Sequence, residues 1–170
     1  KWFSIPNMYR YEAPQRGRLR EFWQLNVDIF GCDGYEADLD CISSAIEIMR
    51  AFGADETMFT VHINNRRFFN DVIAAIAGTD GEGAKQVSKV IDRKNKVPRE
   101  VYERDLATLG LTAEQIAKID ALYTMSVEEA TALCPDSVGS GELLQMFGML
   151  KKAGLDRLCV FYFGIIRGLD

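Results

Sequence analysis

Residues near the start of the chain alternate between polar and apolar side chains in the manner of a β-strand. Along residues 19–29 the even positions are mostly polar and the odd positions are apolar, with Glu21 as the exception. A period of two is typical of a strand with one buried face. Upstream, Arg10 and Glu12 share one face of a second strand, and a short arginine-rich loop joins the two. We therefore predict a hairpin with a buried apolar face and a charged polar face.

The charged groups on the polar face of this hairpin need partners. Burying cations, anions and an amide together costs free energy unless they bind one another or a ligand. The connecting loop, residues 13–18, is cationic and contains a glycine. Arginine side chains at such a turn suit phosphate oxygens. The hairpin therefore favours a phosphate ligand, and the alternative is a polar face that is only solvated.

The same segment resembles the second signature motif of class II aminoacyl-tRNA synthetases, and among them it is most similar to histidyl-tRNA synthetases. The residues that carry the likeness are Tyr9-Arg10-Tyr11-Glu12, Pro14-Gln15, Gly17-Arg18 and Arg20-Glu21-Phe22, followed by Gln24, Asp28 and Gly31. The resemblance implies a ligase that uses ATP to activate histidine as an adenylate and transfers it to tRNA. It also implies Mg²⁺ bound with the ATP.

The resemblance implies roles for individual residues. Arg10 is the expected catalytic cation at the α-phosphate of ATP, and Arg167, near the end of the chain, is the expected second one. Gln24 and Asp28 are expected to bind histidine together with these two arginines. The expected ATP-binding residues are Arg10, Glu12, Arg18 and Arg20.

Each of these roles has a structural alternative. Arg10 could be neutralised by Glu12, and Arg167 could be a surface arginine at the end of a strand. The remaining polar residues could lie on a solvated face or in a loop without a specific contact. Sequence alone leaves these alternatives open.

Composition narrows the class of protein further. The chain has 170 residues, 48% of them hydrophobic, and a formal net charge of −5. Residues 1–20 carry five cationic side chains and one acidic one, so the hairpin is basic on an otherwise acidic protein. The four cysteines and single histidine lack zinc-ligand spacing, so we expect no protein metal site. Without an apolar run long enough to span a membrane, we expect no membrane partner and a cytoplasmic protein.

Periodicity beyond the hairpin predicts an α+β fold, in which a helical insertion interrupts an antiparallel core. The resemblance implies that this core is part of the antiparallel sheet of a class II synthetase. The expected domains are the motif-two half of the catalytic domain (1–67), the helical insertion (68–139) and a return helix and strand (140–170). Helices are predicted at 35–52, 68–77, 84–93, 99–109, 113–123, 127–133 and 142–153, and further strands at 57–64 and 157–166. Capping boxes begin at Thr112 and Ser126.

A basic stripe lies on one predicted helix of the insertion. Lys85, Lys89 and Arg93 recur every fourth residue, and Lys94 and Lys96 extend the series. Such a stripe could contact an RNA backbone, and we therefore include these residues as candidates for tRNA binding. A solvated charged face is the alternative.

Three hypotheses follow for the whole protein. The first is a catalytic histidine–tRNA ligase, expected to be a homodimer at full length, of which this chain alone would be inactive or nearly so. The second is a non-catalytic paralogue, such as a regulatory subunit of histidine biosynthesis. The third is an RNA-binding module built on the basic stripe. Residues Arg10, Gln24 and Arg167, together with the long insertion, favour the first.

Overall fold

The computed structural model describes residues 1–79 and 81–165, and these residues fall into two compact units. The first unit is Lys1–Gly53 and the second is Ala54–Asp170. Each unit is built around its own strands and helices. The mixture of helices with short sheets confirms the predicted α+β class.

The first unit contains four short strands and one helix. They are β1 (Trp2–Ser4), β2 (Asn7–Tyr9), β3 (Glu21–Trp23), β4 (Asn26–Asp28) and α1 (Tyr35–Ala51). β1 pairs with β4 and β2 pairs with β3, both antiparallel, so the predicted hairpin is present.

Backbone hydrogen bonds continue the hairpin on both sides of the β2–β3 ladder. The amide of Gln24 donates to the carbonyl of Pro6 at 3.2 Å, where proline itself has no N–H to return. Beyond β2, the amide of Arg10 donates to the carbonyl of Arg20 at 2.9 Å. The polar residues selected from the sequence therefore lie along two continuously paired segments of the chain.

The hairpin ends in a tight turn of the arginine-rich loop. Gln15 and Arg18 exchange backbone hydrogen bonds of 3.1 and 2.8 Å. Gly17 has φ +75°, a conformation that other residues rarely adopt, and it closes the turn. Arg16 and Arg18 thus flank the glycine at an exposed tip.

The apolar face of the hairpin is exposed in the described residues, and the expectation that it is buried is wrong for them. Trp23 is 71% exposed and Leu19 is 63% exposed. A sheet buries one face only when a second layer packs on it. Within the first unit Ile46 of α1 is the one buried hydrophobic residue described, so no such layer covers the hairpin there.

The second unit begins and ends with strands that pair with each other. β5 (Val61–Ile63) and β6 (Cys159–Phe161) are parallel, with Val61 opposite Cys159. This pairing differs from the antiparallel arrangement expected of the core. Parallel neighbours need a long crossover connection, and here the helices supply it.

Six helices and one 3₁₀ turn make up this crossover within the described residues. They are α2 (Arg66–Ala77), α3 (Gly81–Asp92), the 3₁₀ turn (Lys94–Lys96), α4 (Arg99–Thr108), α5 (Ala113–Ala121), α6 (Val127–Thr131) and α7 (Val138–Lys152). Every helix predicted from periodicity is present, and α7 begins four residues earlier than predicted. Both predicted capping boxes form, at Thr112 and Ser126.

Aromatic side chains join the helices to the end of the chain. The ring of Phe69 stacks on Phe163 with centroids 4.8 Å apart, and Phe68 meets Phe161 edge-on at 5.8 Å. Leu143 of α7 belongs to the same buried cluster. The helical block and the return segment therefore share one core, while the domain boundaries at residues 67 and 139 stay predictions.

Among the residues that the structure describes, none of the helices combines the length and the apolar character that a membrane span requires.

Gly139 tests how closely α7 packs on α2. A Cβ at this position would collide with the backbone nitrogen of Phe68 and lie 2.8 Å from Oδ1 of Asn65. We expect Gly139→Ala to lower the free energy of unfolding by about 1–3 kcal/mol, because backbone must move to admit the methyl group. Urea denaturation followed by circular dichroism measures the change.

Gly148 provides the matched control in the same helix. A Cβ there meets no atom within 4 Å, so Gly148→Ala should raise the free energy of unfolding by about 0.5–1 kcal/mol through helix propensity. Equal effects of the two substitutions would show that α2 and α7 do not pack as described.

Candidate functional site

Arg10 directly follows β2, and two contacts hold its guanidinium group. Nε donates a hydrogen bond of 2.8 Å to the carbonyl oxygen of Leu19. The guanidinium carbon lies 4.5 Å from the centroid of the Phe22 ring, within the range of a cation–π interaction. Within residues 1–79 and 81–165, its terminal nitrogens have no hydrogen-bond or ion-pair partner. The arginine is thus oriented by its neighbours while its fork is open to an anion.

Glu12 forms its ion pair with Arg18 across the hairpin and not with Arg10. The sequence alternative in which Glu12 neutralises Arg10 therefore receives no support from the described contacts. Both members of the Glu12–Arg18 pair are about half exposed, and such pairs add little stability. The side chain of Arg20 is also exposed, so the basic loop is accessible to a ligand.

Gln24 and Asp28 lie where the polar face continues toward β4. Nε2 of Gln24 donates to Oδ1 of Asn26 at 2.6 Å, as expected for side chains two residues apart on one strand face. Nδ2 of Asn26 in turn donates to Oγ of Ser4 at 3.4 Å. Asp28 is exposed at the end of β4 and pairs with Trp2 in the ladder. Gln24 would have to break its hydrogen bond to Asn26 in order to bind a ligand, whereas the Asp28 side chain is already accessible.

The opposite face of the hairpin explains the one polar residue that breaks the apolar pattern. Glu21 accepts hydrogen bonds from Nδ2 of Asn7 at 3.1 Å and from the hydroxyl of Tyr9 at 3.0 Å. This cluster was not selected from the sequence. The sequence could have indicated this cluster. Asn7 and Tyr9 share a strand face, and Glu21, the polar exception in the alternation, lies on the strand that pairs with theirs.

Arg167 lies outside the described residues, as does the end of the predicted strand 157–166. Its role as the second cation of the site stays a prediction. Gln24, Asp28 and the hairpin arginines belong to the first unit, so the described geometry covers the hairpin side of the candidate site.

The basic stripe consists of Lys85 and Lys89 on α3 and Arg93 just beyond it, and two of these three cations lie near acids. Nζ of Lys85 lies 3.8 Å from Oε2 of Glu82, and Nη1 of Arg93 lies 3.9 Å from Oδ2 of Asp105. Lys89 is exposed on the same helix. Each acid lowers the local positive potential, which weakens the case for an RNA contact. The stripe is consistent with a solvated face, and tRNA binding there stays a prediction.

Lys94 does not extend the stripe, because it lies in the 3₁₀ turn after α3 and its side chain is only 24% exposed. Its ammonium group pairs with Asp120 and lies 3.8 Å from the centroid of the Tyr123 ring. Tyr102 is a second aromatic neighbour at 5.4 Å, and burial raises the pKa of its hydroxyl. The cluster joins the 3₁₀ turn to α5 and gives Lys94 a structural role.

Metal binding by the protein has no described site. Among residues 1–79 and 81–165, no three His, Cys, Asp or Glu side chains come together as metal ligands would. The described cysteines are all free thiols.

The fold is similar to that of a solved structure from Bacillus halodurans, described as an ATP phosphoribosyltransferase regulatory subunit/histidyl-tRNA synthetase. The TM-score is 0.73 at 21% identity, and the match covers 95% of this chain and 42% of the other. The two chains therefore share an α+β fold.

Sequence comparison identifies the family. Residues 1–150 match the model of the histidyl-tRNA synthetase family, and the chain belongs to that family. It is 34% identical to a histidine–tRNA ligase of Leptospira biflexa and 39% identical to one of Pyrococcus furiosus, each over the whole of this chain. The chain spans about 40% of the length of these curated relatives.

Replacing Lys94 by methionine tests its assignment to the core. Lys94→Met keeps the apolar stem but leaves Asp120 with only the exposed Arg99, at 3.8 Å, which should lower the free energy of unfolding by about 1–3 kcal/mol. Lys96→Met removes only an exposed pair with Asp92, at 2.8 Å, and should cost less than about 1 kcal/mol. Thermal denaturation of both variants measures the difference, and a larger loss for Lys96→Met would contradict the assignment.

Proposed function

We propose that the protein is a histidine–tRNA ligase and that this chain is the central part of its catalytic domain. The observation that carries the proposal is the guanidinium of Arg10. Leu19 and Phe22 hold it in place, and its terminal nitrogens have no described partner. A cation fixed by protein contacts but not neutralised by a carboxylate is suited to bind a phosphate group.

The first proposed reaction is the formation of histidyl adenylate. An oxygen of the histidine carboxylate attacks the α-phosphorus of ATP, the bond to the bridging oxygen breaks, and pyrophosphate leaves. Negative charge on the non-bridging oxygens would be stabilised by Arg10 and, from the other part of the chain, by Arg167. Since Arg10 is already oriented, it stabilises that charge without reorganisation during the reaction.

The remaining site residues would hold the two substrates. Asp28 would pair with the ammonium group of histidine, and Gln24 would bind the amino acid after releasing Asn26. The ATP would lie against Arg18 and Arg20 of the hairpin, with Glu12 beside them. Mg²⁺ would arrive with the nucleotide and be held chiefly by its phosphates.

In the second proposed step a hydroxyl group of tRNA attacks the carbonyl carbon of the adenylate, and AMP leaves. Lys85, Lys89 and Arg93 are the candidate contacts of the insertion to tRNA, although acidic neighbours reduce the expected contribution of Lys85 and Arg93. We also propose a homodimer for the full-length protein and a cytoplasmic location.

A non-catalytic regulatory subunit is the second candidate function. The structural neighbour from Bacillus halodurans carries both descriptions, and its 21% identity supports the fold alone. The curated relatives, at 34% and 39% identity, are histidine–tRNA ligases. The presence of Arg10, Gln24 and Asp28 on one accessible hairpin favours the catalytic function.

Substitution of Arg10 tests the proposal in the full-length protein. Arg10→Ala should lower the rate of histidine-dependent ATP–pyrophosphate exchange by a factor on the order of 10²–10³, because one charge partner of the transition state is lost. Exchange of labelled pyrophosphate into ATP is the measurement.

Arg104 supplies the matched control, since it is exposed on α4 and contacts only its neighbour Asp105, at 3.5 Å, among its described partners. Arg104→Ala should leave exchange within about threefold of the unmodified protein, as surface substitutions usually do. A loss no larger for Arg10→Ala than for Arg104→Ala would assign Arg10 a structural role and overturn the proposed mechanism.

A further inference from the structure

Glu21 interrupts the apolar alternation of β3 and bonds across the ladder to β2. Its Oε1 accepts from the hydroxyl of Tyr9 at 3.0 Å and from Nδ2 of Asn7 at 3.1 Å. Tyr9 stands directly opposite Glu21 in the ladder, and Asn7 stands opposite Trp23. One carboxylate oxygen therefore links β3 to two alternate residues of β2.

The contacts that orient Arg10 come from the immediate neighbours of Glu21. The carbonyl of Leu19 accepts from Nε of Arg10, and the carbonyl of Arg20 accepts from the Arg10 amide at 2.9 Å. The ring of Phe22, which follows Glu21, lies against the guanidinium. A shift of β3 along β2 would therefore displace all three of these partners relative to Arg10.

The tip of the hairpin does not hold this register by itself. Its turn bridge joins Gln15 to Arg18, and unequal arms connect that bridge to the β2–β3 ladder. Five residues, 10–14, form one arm, and two residues, 19–20, form the other. A tight two-residue turn fixes the pairing of the strands that it joins, whereas an irregular connection of this kind does not.

Burial does not fix the register of the described hairpin either. Alternation selects a register when one face is buried, because a slip of one residue then exposes the apolar side chains. Here the apolar face is exposed, and a slip of two residues would keep each side chain on its own face. The pair of bonds from Tyr9 and Asn7 to Glu21 is specific to the observed register.

We propose that Glu21 is a positioning residue for Arg10, because it fixes the register of β3 on β2. Successive residues of a strand point to opposite faces, so the carboxylate lies on the face opposite Phe22 and acts through the backbone. This inference rests on the proposed function, in which Arg10 contacts the α-phosphate of ATP. A misplacement of about 1 Å in a catalytic group can cost a factor on the order of 10².

Two substitutions of Glu21 in the full-length protein test the proposal. Glu21→Leu removes both bonds, and kcat of histidine-dependent ATP–pyrophosphate exchange should fall by a factor on the order of 10. Glu21→Gln keeps Oε1 as an acceptor and should stay within about threefold of the unmodified protein. An equal loss from both substitutions would assign the effect to the charge of Glu21 and overturn the inference.

Two tyrosines near the end of β2 supply a matched pair of substitutions. Tyr9→Phe removes the hydroxyl that bonds Glu21, and exchange should fall about fivefold, less than with Glu21→Leu because Asn7 still donates. Tyr11→Phe makes the same change in a side chain that is 96% exposed, and exchange should stay within about twofold. A loss from Tyr9→Phe no larger than that from Tyr11→Phe contradicts the proposal.

A double-substitution cycle with Arg10→Ala separates positioning from general destabilisation. If Glu21 acts through Arg10, then Glu21→Leu should cause a further loss of about twofold or less once Arg10 is absent. Hydrogen exchange gives a readout independent of activity. The ladder amides of Arg10 and Gln24 should exchange faster in Glu21→Leu than in Glu21→Gln, while the amides of α5 do not change.

The outcomes distinguish this inference from the proposed function. An equal loss from Glu21→Leu with and without Arg10 overturns the inference and leaves the proposed function standing. Hydrogen exchange at Arg10 and Gln24 that is the same in the two Glu21 variants also overturns it. A full-length protein without any histidine-dependent exchange overturns the proposed function, and the role inferred for Glu21 with it.

Discussion

β5 and β6 lie side by side in parallel although the whole helical block separates them in the chain. Parallel strands cannot be joined by a tight turn, so α2 to α7 must leave the sheet and return to it. Aromatic contacts join the start of the helical block to the return segment: Phe69 packs on Phe163, and Phe68 packs on Phe161. Because these rings lie at the start of α2 and at the exit of β6, their packing fixes where the return segment lies.

Close backbone packing and polar contacts also join α2 to α7. Gly139 lets α7 approach the first turn of α2 without a side chain between them, and Asn65 and Glu142 bond across the same junction. Nδ2 of the neighbouring Asn64 donates a hydrogen bond to the carbonyl of Phe163, just beyond β6. Packing supplies most of the stabilisation of such a core, whereas these amide contacts add specific hydrogen bonds between its segments.

Local pattern was sufficient for the elements of the helical block and insufficient for features that depend on distant contacts. Capping at Thr112 and Ser126 and helical periodicity are encoded within a few residues, so the helices could be predicted. The exposure of Trp23 could not be predicted, because an alternating strand pattern does not show whether a second layer packs on the apolar face. Lys94 was assigned to a surface stripe because its partners, Asp120 and Tyr123, are distant from it in the sequence. The contact of Phe22 with the predicted cation, Arg10, required the register of the two strands.

Family membership leaves a choice between a catalytic ligase and a regulatory paralogue of the same fold, and we propose the ligase from the geometry of the hairpin. The full-length protein would then attach histidine to tRNA. The most direct measurement is the ATP-dependent incorporation of labelled histidine into acid-precipitable tRNA. We predict charging with histidine that requires ATP and tRNA together. Absence of charged tRNA in a folded full-length protein would contradict the account and favour the regulatory function.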